Sequence, residues 1–425
     1  MEKIGRKKIG LANKIFIGMV VGLIIGLISP QFGQSLKPIG DIFMRLLRMG
    51  VVPLIYANVV YGICQMDDAK SFGRAGSKLV GFYLVTTACA AVIGSFVGTL
   101  TKPGMSIKLD VSSKAADIQK MSGFWETVQS FIPTNILQAF AEGNLPQIIV
   151  FAIFTGIAVL LIGGETKVRI VGAFGDIGSL MLKIITIVME FSPYGIAALM
   201  AWTAGKFGTD IFGPLTKFIG SVYLGLILQI ILVYLGSIIV FVKLRPLDYL
   251  IKTKPIWLTA FTLCSSAATI PVSLKTAEED MGLPKKISSF SIPMGATMNM
   301  DGNAIWFGVM GVFACQLVGI DVTFSQILQF SILGVILTLG SPGIPGGIFV
   351  STAIFLSSLG LPLEAGAMMI GVFRLLDMGM TATNTLGDIT ATTFVSAREK
   401  LFDGKTSPYW NKNEKIEVKS INKGI

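Results

Sequence analysis

The sequence predicts an all-α polytopic membrane protein, and three observations carry that reading. Of its 425 residues 52% are hydrophobic and only 14% charged, where a soluble domain carries about 25% charged; the mean hydropathy is +0.72. Apolar segments of the roughly 20 residues that a bilayer core requires recur along the chain. In the second half these segments are broken by Ser, Gly, Pro and Asn. Membranes tolerate such backbone only where it is buried in protein or lines a water-filled cavity.

The elements follow in order. Lys3, Arg6, Lys7 and Lys8 precede the first apolar segment, Ile15–Ile28, and no A-x-A-like cleavage site follows. The start therefore reads as an uncleaved span with a cytoplasmic N-terminus. Spans are expected at roughly 12–29, 38–65, 76–100, 132–162, 178–204 and 212–242. The second holds Arg45 and Arg48 near Pro53, so its first part belongs near an interface or against protein. "ETKVR" (Glu165–Arg169) and "KLRPLDYLIKTK" (Lys243–Lys254) read as inside loops. The tail from Arg398, with Lys400, Lys405, Lys412, Lys415, Lys419 and Lys423, is expected inside as well, which makes the number of crossings even. The net charge of +10 thus reflects the positive-inside rule, with no nucleic-acid partner implied. Lys102, Lys108, Lys114 and Lys120 run against the rule in the segment Ser106–Thr127 and just before it, placed outside, where Asp110 and Asp117 dilute them. That segment reads as a mobile loop, and the tail after Phe402 as disordered.

Composition also excludes chemistry. The chain has no histidine, which removes the usual zinc ligands, Ser-His hydrolysis and imidazole relays together. Cys64, Cys89, Cys264 and Cys315 are isolated in apolar surroundings and read as buried free thiols. With no metal-ligand cluster and no nucleophile–base pair, an intramembrane enzyme is disfavoured, and no organic cofactor is expected.

Beyond Lys254, "TLCSSAATIPVSL" (Thr262–Leu274) and "LGSPGIPGGIF" (Leu339–Phe349) interrupt segments too short for two crossings. Each reads as the tip of a re-entrant hairpin and precedes a long apolar helix carrying Asn and Asp. Hairpin–helix (about 256–318) and hairpin–helix (about 324–396) form a faint internal repeat, as in transporters with broken segments in corresponding positions. The tips can cap short helices whose N–H groups face an anion.

In the last helix Asp377, Thr381, Asn384 and Asp388 are spaced 0, 4, 7 and 11. At about 100° per residue they share an arc of about 60°, a polar stripe flanked by Arg374 and Met380. Helix–helix glue is the bland explanation, but two carboxylates and an amide exceed what packing requires. In "NMDGN", Asn299 and Asp301 would point about 200° apart on a regular helix, so the helix is expected to unwind around Met298–Gly302 and turn both inward. Carboxylate, amide and carbonyl oxygens suit a hard alkali cation, which would offset the burial of Asp301. The competing explanation is a salt bridge from Asp301 to Arg374. Tyr83, Thr86 and Thr87 share one face of the third span and, on sequence alone, read as ordinary membrane threonines bonding their own backbone.

"SSAATIP", "NMDG" and the D-x-x-x-T-x-x-N-x-x-x-D stripe together resemble the dicarboxylate/amino-acid:cation symporter family, and the hydropathy agrees over nearly the whole chain. The resemblance implies eight membrane helices, two re-entrant helical hairpins and a homotrimer in the cell membrane, working as an elevator with scaffold and transport domains. It divides the chain into scaffold helices (1–75), transport helix 3 (76–105), an external loop (106–127) and scaffold helices 4–5 (128–210). Helix 6 (211–253), hairpin 1 (254–285), broken helix 7 (286–320), hairpin 2 (321–362), helix 8 (363–397) and a cytoplasmic tail (398–425) follow. It further implies that Asp377 holds a substrate ammonium, and that Asn384 and Ser266 bind an α-carboxylate beside Cys264, Ser265, Thr381 and Ile344. Sodium ions are the implied coupling ions at three sites. Asp388 with carbonyls of Gly295, Asn299 and Asn384 makes one. Asp301, Asn299, Tyr83, Thr86 and Thr87 make another, and carbonyls of Thr297, Thr338, Leu339 and Ser341 the third.

Three departures bear on the substrate. Family members that take aspartate or glutamate carry an arginine where this chain has Met380; the threonine after NMDG is Asn303, and an arginine before the hairpin serines is Cys264. A side-chain carboxylate would lack its bidentate partner, so a neutral L-amino acid (serine, threonine, alanine or methionine-like) is expected under sodium coupling. Arg374 leaves a second reading open, a proton- or sodium-coupled carrier of acidic amino acids or dicarboxylates. A channel lined by the same polar faces is the remaining alternative.

Overall fold

The computed structural model describes residues 11–71, 74–105, 129, 131–339, 348–370, 372–404, 407, 409 and 410. The expected loop 106–127 and the site residues Ser341 and Ile344 lie outside the described residues. Among the described residues every regular element is a helix. The order begins α1 (Leu11–Ile28), α2 (Pro30–Ser35), α3 (Lys37–Ser71), α4 (Arg74–Thr101), α5 (Ile136–Glu142), α6 (Leu145–Ile162), α7 (Gly164–Met189) and α8 (Ser192–Phe207). Next, α9 (Phe212–Leu228) continues into two π-helical stretches, Gln229–Leu235 and Ile238–Val242. The remainder is α10 (Pro246–Leu263), α11 (Ser266–Lys275), α12 (Lys285–Met298), α13 (Asp301–Leu317), α14 (Phe324–Leu339), α15 (Ile348–Ser358), α16 (Leu363–Ile370) and α17 (Phe373–Arg398).

Several expected boundaries move, each for a local reason. The segment 132–162 is two helices because Gly143, at φ 67°, closes α5 and Asn144 accepts from the Gln147 N–H to start α6. "ETKVR" is the first turn of α7, with Glu165 at the positive end of the helix dipole. The chain reverses at Gly163 and Gly164, both at positive φ. The expected span 178–204 straddles the turn at Glu190–Phe191 between α7 and α8. "KLRPLDYLIKTK" is a loop only as far as Arg245, since Pro246 opens α10 at the position where a missing N–H costs nothing. Three helices among the described residues, Arg74–Thr101, Gly164–Val188 and Gly213–Val242, are long and apolar enough to cross a membrane by length and composition.

Packing relies on helices meeting backbone to backbone. α1 lies along α8, and side chains at Gly18, Gly22 or Gly26 would collide with the carbonyls of Pro193, Ala197 and Ala201. α4 crosses α13 in the same way, a Cβ at Gly308 falling 2.5 Å from the Ser95 nitrogen and 2.6 Å from the Ala91 oxygen. α3 packs on α6 and α7, while α17 sits centrally, touching α10, α12 and α13. Where α13 meets α9 and α17, Trp306 is fully buried, edge-on to Phe218 at 5.3 Å and Phe373 at 5.6 Å.

The described residues between Phe402 and Trp410 depart from the disorder expected after Phe402, while residues 411–425 lie outside the described residues. Phe402 is buried, and the Trp410 indole N–H donates to the Met281 carbonyl at 3.0 Å. The Trp410 ring stacks on Tyr249 and lies 4.8 Å from the Lys252 ammonium, while Tyr409 covers Gly282. Aromatic side chains thus hold the chain at Phe402, Tyr409 and Trp410.

Candidate functional site

The polar stripe of α17 is turned inward, with Asp377, Thr381, Asn384 and Asp388 all buried. The Thr381 hydroxyl donates to Asp377 Oδ1 at 3.3 Å. Opposite this stripe the chain leaves helical geometry for two residues, Asn299 (φ −102°, ψ 81°) and Met300 (φ −111°, ψ 53°), between α12 and α13. The interruption lets both Asn299 and Asp301 face α17 and α4, which a continuous helix forbids.

Asp301 is fully buried and held by three neutral donors. Thr87 Oγ1 donates to Oδ1 at 2.7 Å, and Tyr234 Oη and Gln229 Nε2 donate to Oδ2 at 2.7 and 2.8 Å. Thr87 therefore serves the carboxylate instead of its own helix, against the reading from sequence alone. The single Thr86 hydroxyl hydrogen is shared between the Tyr83 carbonyl at 3.2 Å and Asn299 Oδ1 at 3.4 Å. Asn299 Nδ2 donates to Asp388 Oδ1 at 3.0 Å and to the Asn384 carbonyl at 3.2 Å. The Gly302 N–H donates to Asn384 Oδ1 at 2.7 Å, and Asn384 Nδ2 approaches the Met300 sulfur at 3.3 Å. Gly295 leaves the space that Asp388 Oδ1 and Tyr83 Oη fill, and Tyr83 itself donates to the Ser291 carbonyl at 2.9 Å. Tyr83, Thr86, Thr87, Gly295, Asn299, Asp301, Asn384 and Asp388 thus form one contiguous cluster.

Among the described residues neither Asp301 nor Asp388 pairs with a lysine or arginine. Arg374 goes instead to Asp377, its Nη1 3.8 Å from Oδ2, and its Nη2 donates to the Thr262 carbonyl at 3.5 Å. The salt bridge considered for Asp301 is therefore not made. Buried carboxylates are normally paired with a cation or coordinate one. No group of three His, Cys, Asp or Glu side chains able to hold a metal exists among the described residues. One carboxylate with neutral oxygens is a donor set for a monovalent hard cation.

Arg374 joins α17 to the tip where α10 meets α11. Cys264, at φ 51°, ends α10 in the left-handed region, and its N–H bonds the Ala260 carbonyl. The Ser265 hydroxyl caps α11 through the Ala268 N–H at 3.3 Å, and Ser266 is buried. Met380 is buried with its backbone and Cβ against Gly302, and Asn303 is half-buried on α13. The expected third cation set, carbonyls of Thr297, Thr338, Leu339 and Ser341, lies partly outside the described residues, since Ser341 is among those not described. Thr297 is exposed with its hydroxyl on the Met294 carbonyl, Thr338 bonds the Val335 carbonyl, and Leu339 is the last residue of α14.

The sequence reading missed Gln229 and Tyr234. A signal existed, since Gln229 is the lone amide in the apolar run 212–242.

Residues 11–398 match the sodium:dicarboxylate symporter family. The chain belongs to that family. It is 33% identical over 406 residues (93% of this chain, 96% of the relative) to a proton/glutamate-aspartate symporter of Bacillus subtilis (strain 168). It is 31% identical over 405 residues (92% and 95%) to a proton/sodium-glutamate symport protein of Geobacillus stearothermophilus. A C4-dicarboxylate transport protein of Bacillus subtilis (strain 168) is 30% identical over 400 residues (92% and 94%). This member of the symporter family is thus a cation-coupled symporter, not an enzyme, and a multi-pass protein of the cell membrane that acts on a small-molecule substrate.

Proposed function

We propose that the chain imports an acidic amino acid or C4-dicarboxylate with sodium. The observation that carries this reading is Arg374, whose guanidinium stands beside Asp377 and the α10–α11 tip. It supplies the cation that Met380 and Cys264 take from other positions, and the substrates named for the relatives point the same way. In this reading Asn384, Ser265 and Ser266 receive one carboxylate and Arg374 the other, and for an amino acid Asp377 receives the ammonium. A sodium ion at Asp301, Asn299, Thr86 and Thr87 and another at Asp388 fix Asn299 and Asn384, and through them the face of α17 that meets the substrate. Trimeric assembly, cytoplasmic termini and an elevator movement complete the proposal on the resemblance.

A neutral amino acid remains the second reading, favoured by the apolar side chain of buried Met380. Uptake into potassium-loaded proteoliposomes under an inward sodium gradient separates the two. Aspartate, glutamate, succinate, serine, alanine and methionine are compared in wild type and Arg374→Ala. The expected result is acidic uptake that falls about 100-fold or more in the variant, because the substrate's buried carboxylate loses its partner. Uptake of neutral substrates alone, unchanged by Arg374→Ala, would establish the second reading. Equal uptake when a proton gradient replaces sodium would move the coupling to protons.

A further inference from the structure

Gln229 and Tyr234 are five residues apart. On an α-helix they would point about 140° from each other, so only one of them could meet Asp301. The chain winds instead as a π-helix over Gln229–Leu235, and the i→i+5 repeat brings both to the same side. Both then donate to one oxygen of Asp301, Oδ2, at 2.8 and 2.7 Å. The other oxygen, Oδ1, faces Thr87, beside the Thr86–Asn299 pair.

The amide of Gln229 has a defined orientation. Its Nε2 gives one hydrogen to Asp301 and the other to the Thr86 carbonyl at 3.0 Å. Rotating the amide would set oxygen against both acceptors. This arrangement leaves Gln229 Oε1 fully buried with no hydrogen-bond partner among the described residues. An unsatisfied buried carbonyl is a cost that a leucine at this position would avoid. Interrupting the α-helix is a second departure at the same place, and π-turns of this kind gather at functional sites.

We infer that Gln229 and Tyr234 are positioning residues for cation binding at Asp301. They commit Oδ2 to two fixed donors and thereby aim Oδ1 at the threonine–asparagine cluster. This rests on reading Asp301 as a cation site, which the experiment tests separately. Outer partners of ligating carboxylates typically change ion affinity 10–100-fold when removed.

The test needs no substrate. The purified full-length chain is melted across a sodium chloride series, with choline chloride holding ionic strength constant. A ligand of the folded state raises the melting temperature as its concentration passes its dissociation constant. The quantity read is the sodium concentration giving half of the response that Asp301→Asn removes. Gln229→Leu and the near-isosteric Tyr234→Phe are each expected to raise that concentration about tenfold. Ser237→Ala, whose hydroxyl bonds the Tyr234 carbonyl, is expected to leave it unchanged. A purely structural role would lower the melting point in choline and leave the midpoint concentration where it was. That outcome, with Asp301→Asn still abolishing the response, overturns the inference and spares the cation site. A wild-type sodium response in Asp301→Asn removes the site, and the inference with it.

Discussion

A single methyl group added at Gly295 tests whether the Asp388 carboxylate is placed as function requires. A Cβ there would lie 2.5 Å from Asp388 Oδ1, 2.7 Å from its Cγ and 2.6 Å from Tyr83 Oη. Real contacts of this kind essentially never fall below 3.0 Å, so the carboxylate must retreat by at least 3.0 − 2.5 = 0.5 Å. Tyr83 is anchored to Ser291 and Asp388 to Asn299, and neither is a free end that can swing away. Overpacking a tight interior costs about 1–3 kcal/mol. Moving Asp388 also stretches its 3.0 Å bond from Asn299 at a site read as binding sodium. Gly295→Ala is therefore expected to lower the melting point in choline chloride and to raise the sodium concentration for half-maximal uptake about tenfold or more. Gly81→Ala is the matched control, because a Cβ there meets nothing within 4 Å. It removes backbone freedom from an α4 position and is expected to be neutral or to stabilise by about 0.5–1 kcal/mol. Wild-type sodium dependence in Gly295→Ala would refute the role given to Asp388.

Two further perturbations probe the frame around the site. Gly22→Leu drives a side chain into the Ala197 carbonyl across the α1–α8 crossing and is expected to abolish monodisperse protein on size-exclusion chromatography, because no side-chain rotation relieves a clash with backbone. Trp410→Ala removes the indole bond to Met281 and the stack on Tyr249. For this half-buried ring a loss of about 1–3 kcal/mol is expected, read as faster proteolysis at the C-terminal segment with sodium-dependent uptake retained.

The legible parts of the molecule are those where chemistry is written on one helix. The spacing of Asp377, Thr381, Asn384 and Asp388 defines a face by arithmetic, and a buried Asp two residues from Asn demands a break in the helix that bears them. The donors on other helices were harder. Thr87 differs in no local way from a threonine bonding its own backbone, and only the approach of α13 to α4 gives it Asp301. Tyr234 depends on a π-turn, which no hydrophobic periodicity announces. Boundaries failed where charge was equated with loop, as at Glu165–Arg169, because a helix dipole welcomes an acid in its first turn. The start of the tail, as far as Trp410, failed for the converse reason, since the lysines around it outvoted Tyr409 and Trp410.

Asn299 has two amide hydrogens and one carbonyl oxygen, and all are in use. The hydrogens go to Asp388 and the Asn384 carbonyl, while the oxygen receives Thr86. One small side chain therefore belongs to the surroundings of both buried carboxylates. Any ion that reorients it at Asp301 changes what Asp388 offers, and thermodynamic reciprocity requires the converse effect to be equal. In the proposed two-ion reading each ion must then change the other's affinity by the same factor whichever is titrated first, so a loading order reports their separate affinities and entry routes and not an asymmetry in the coupling.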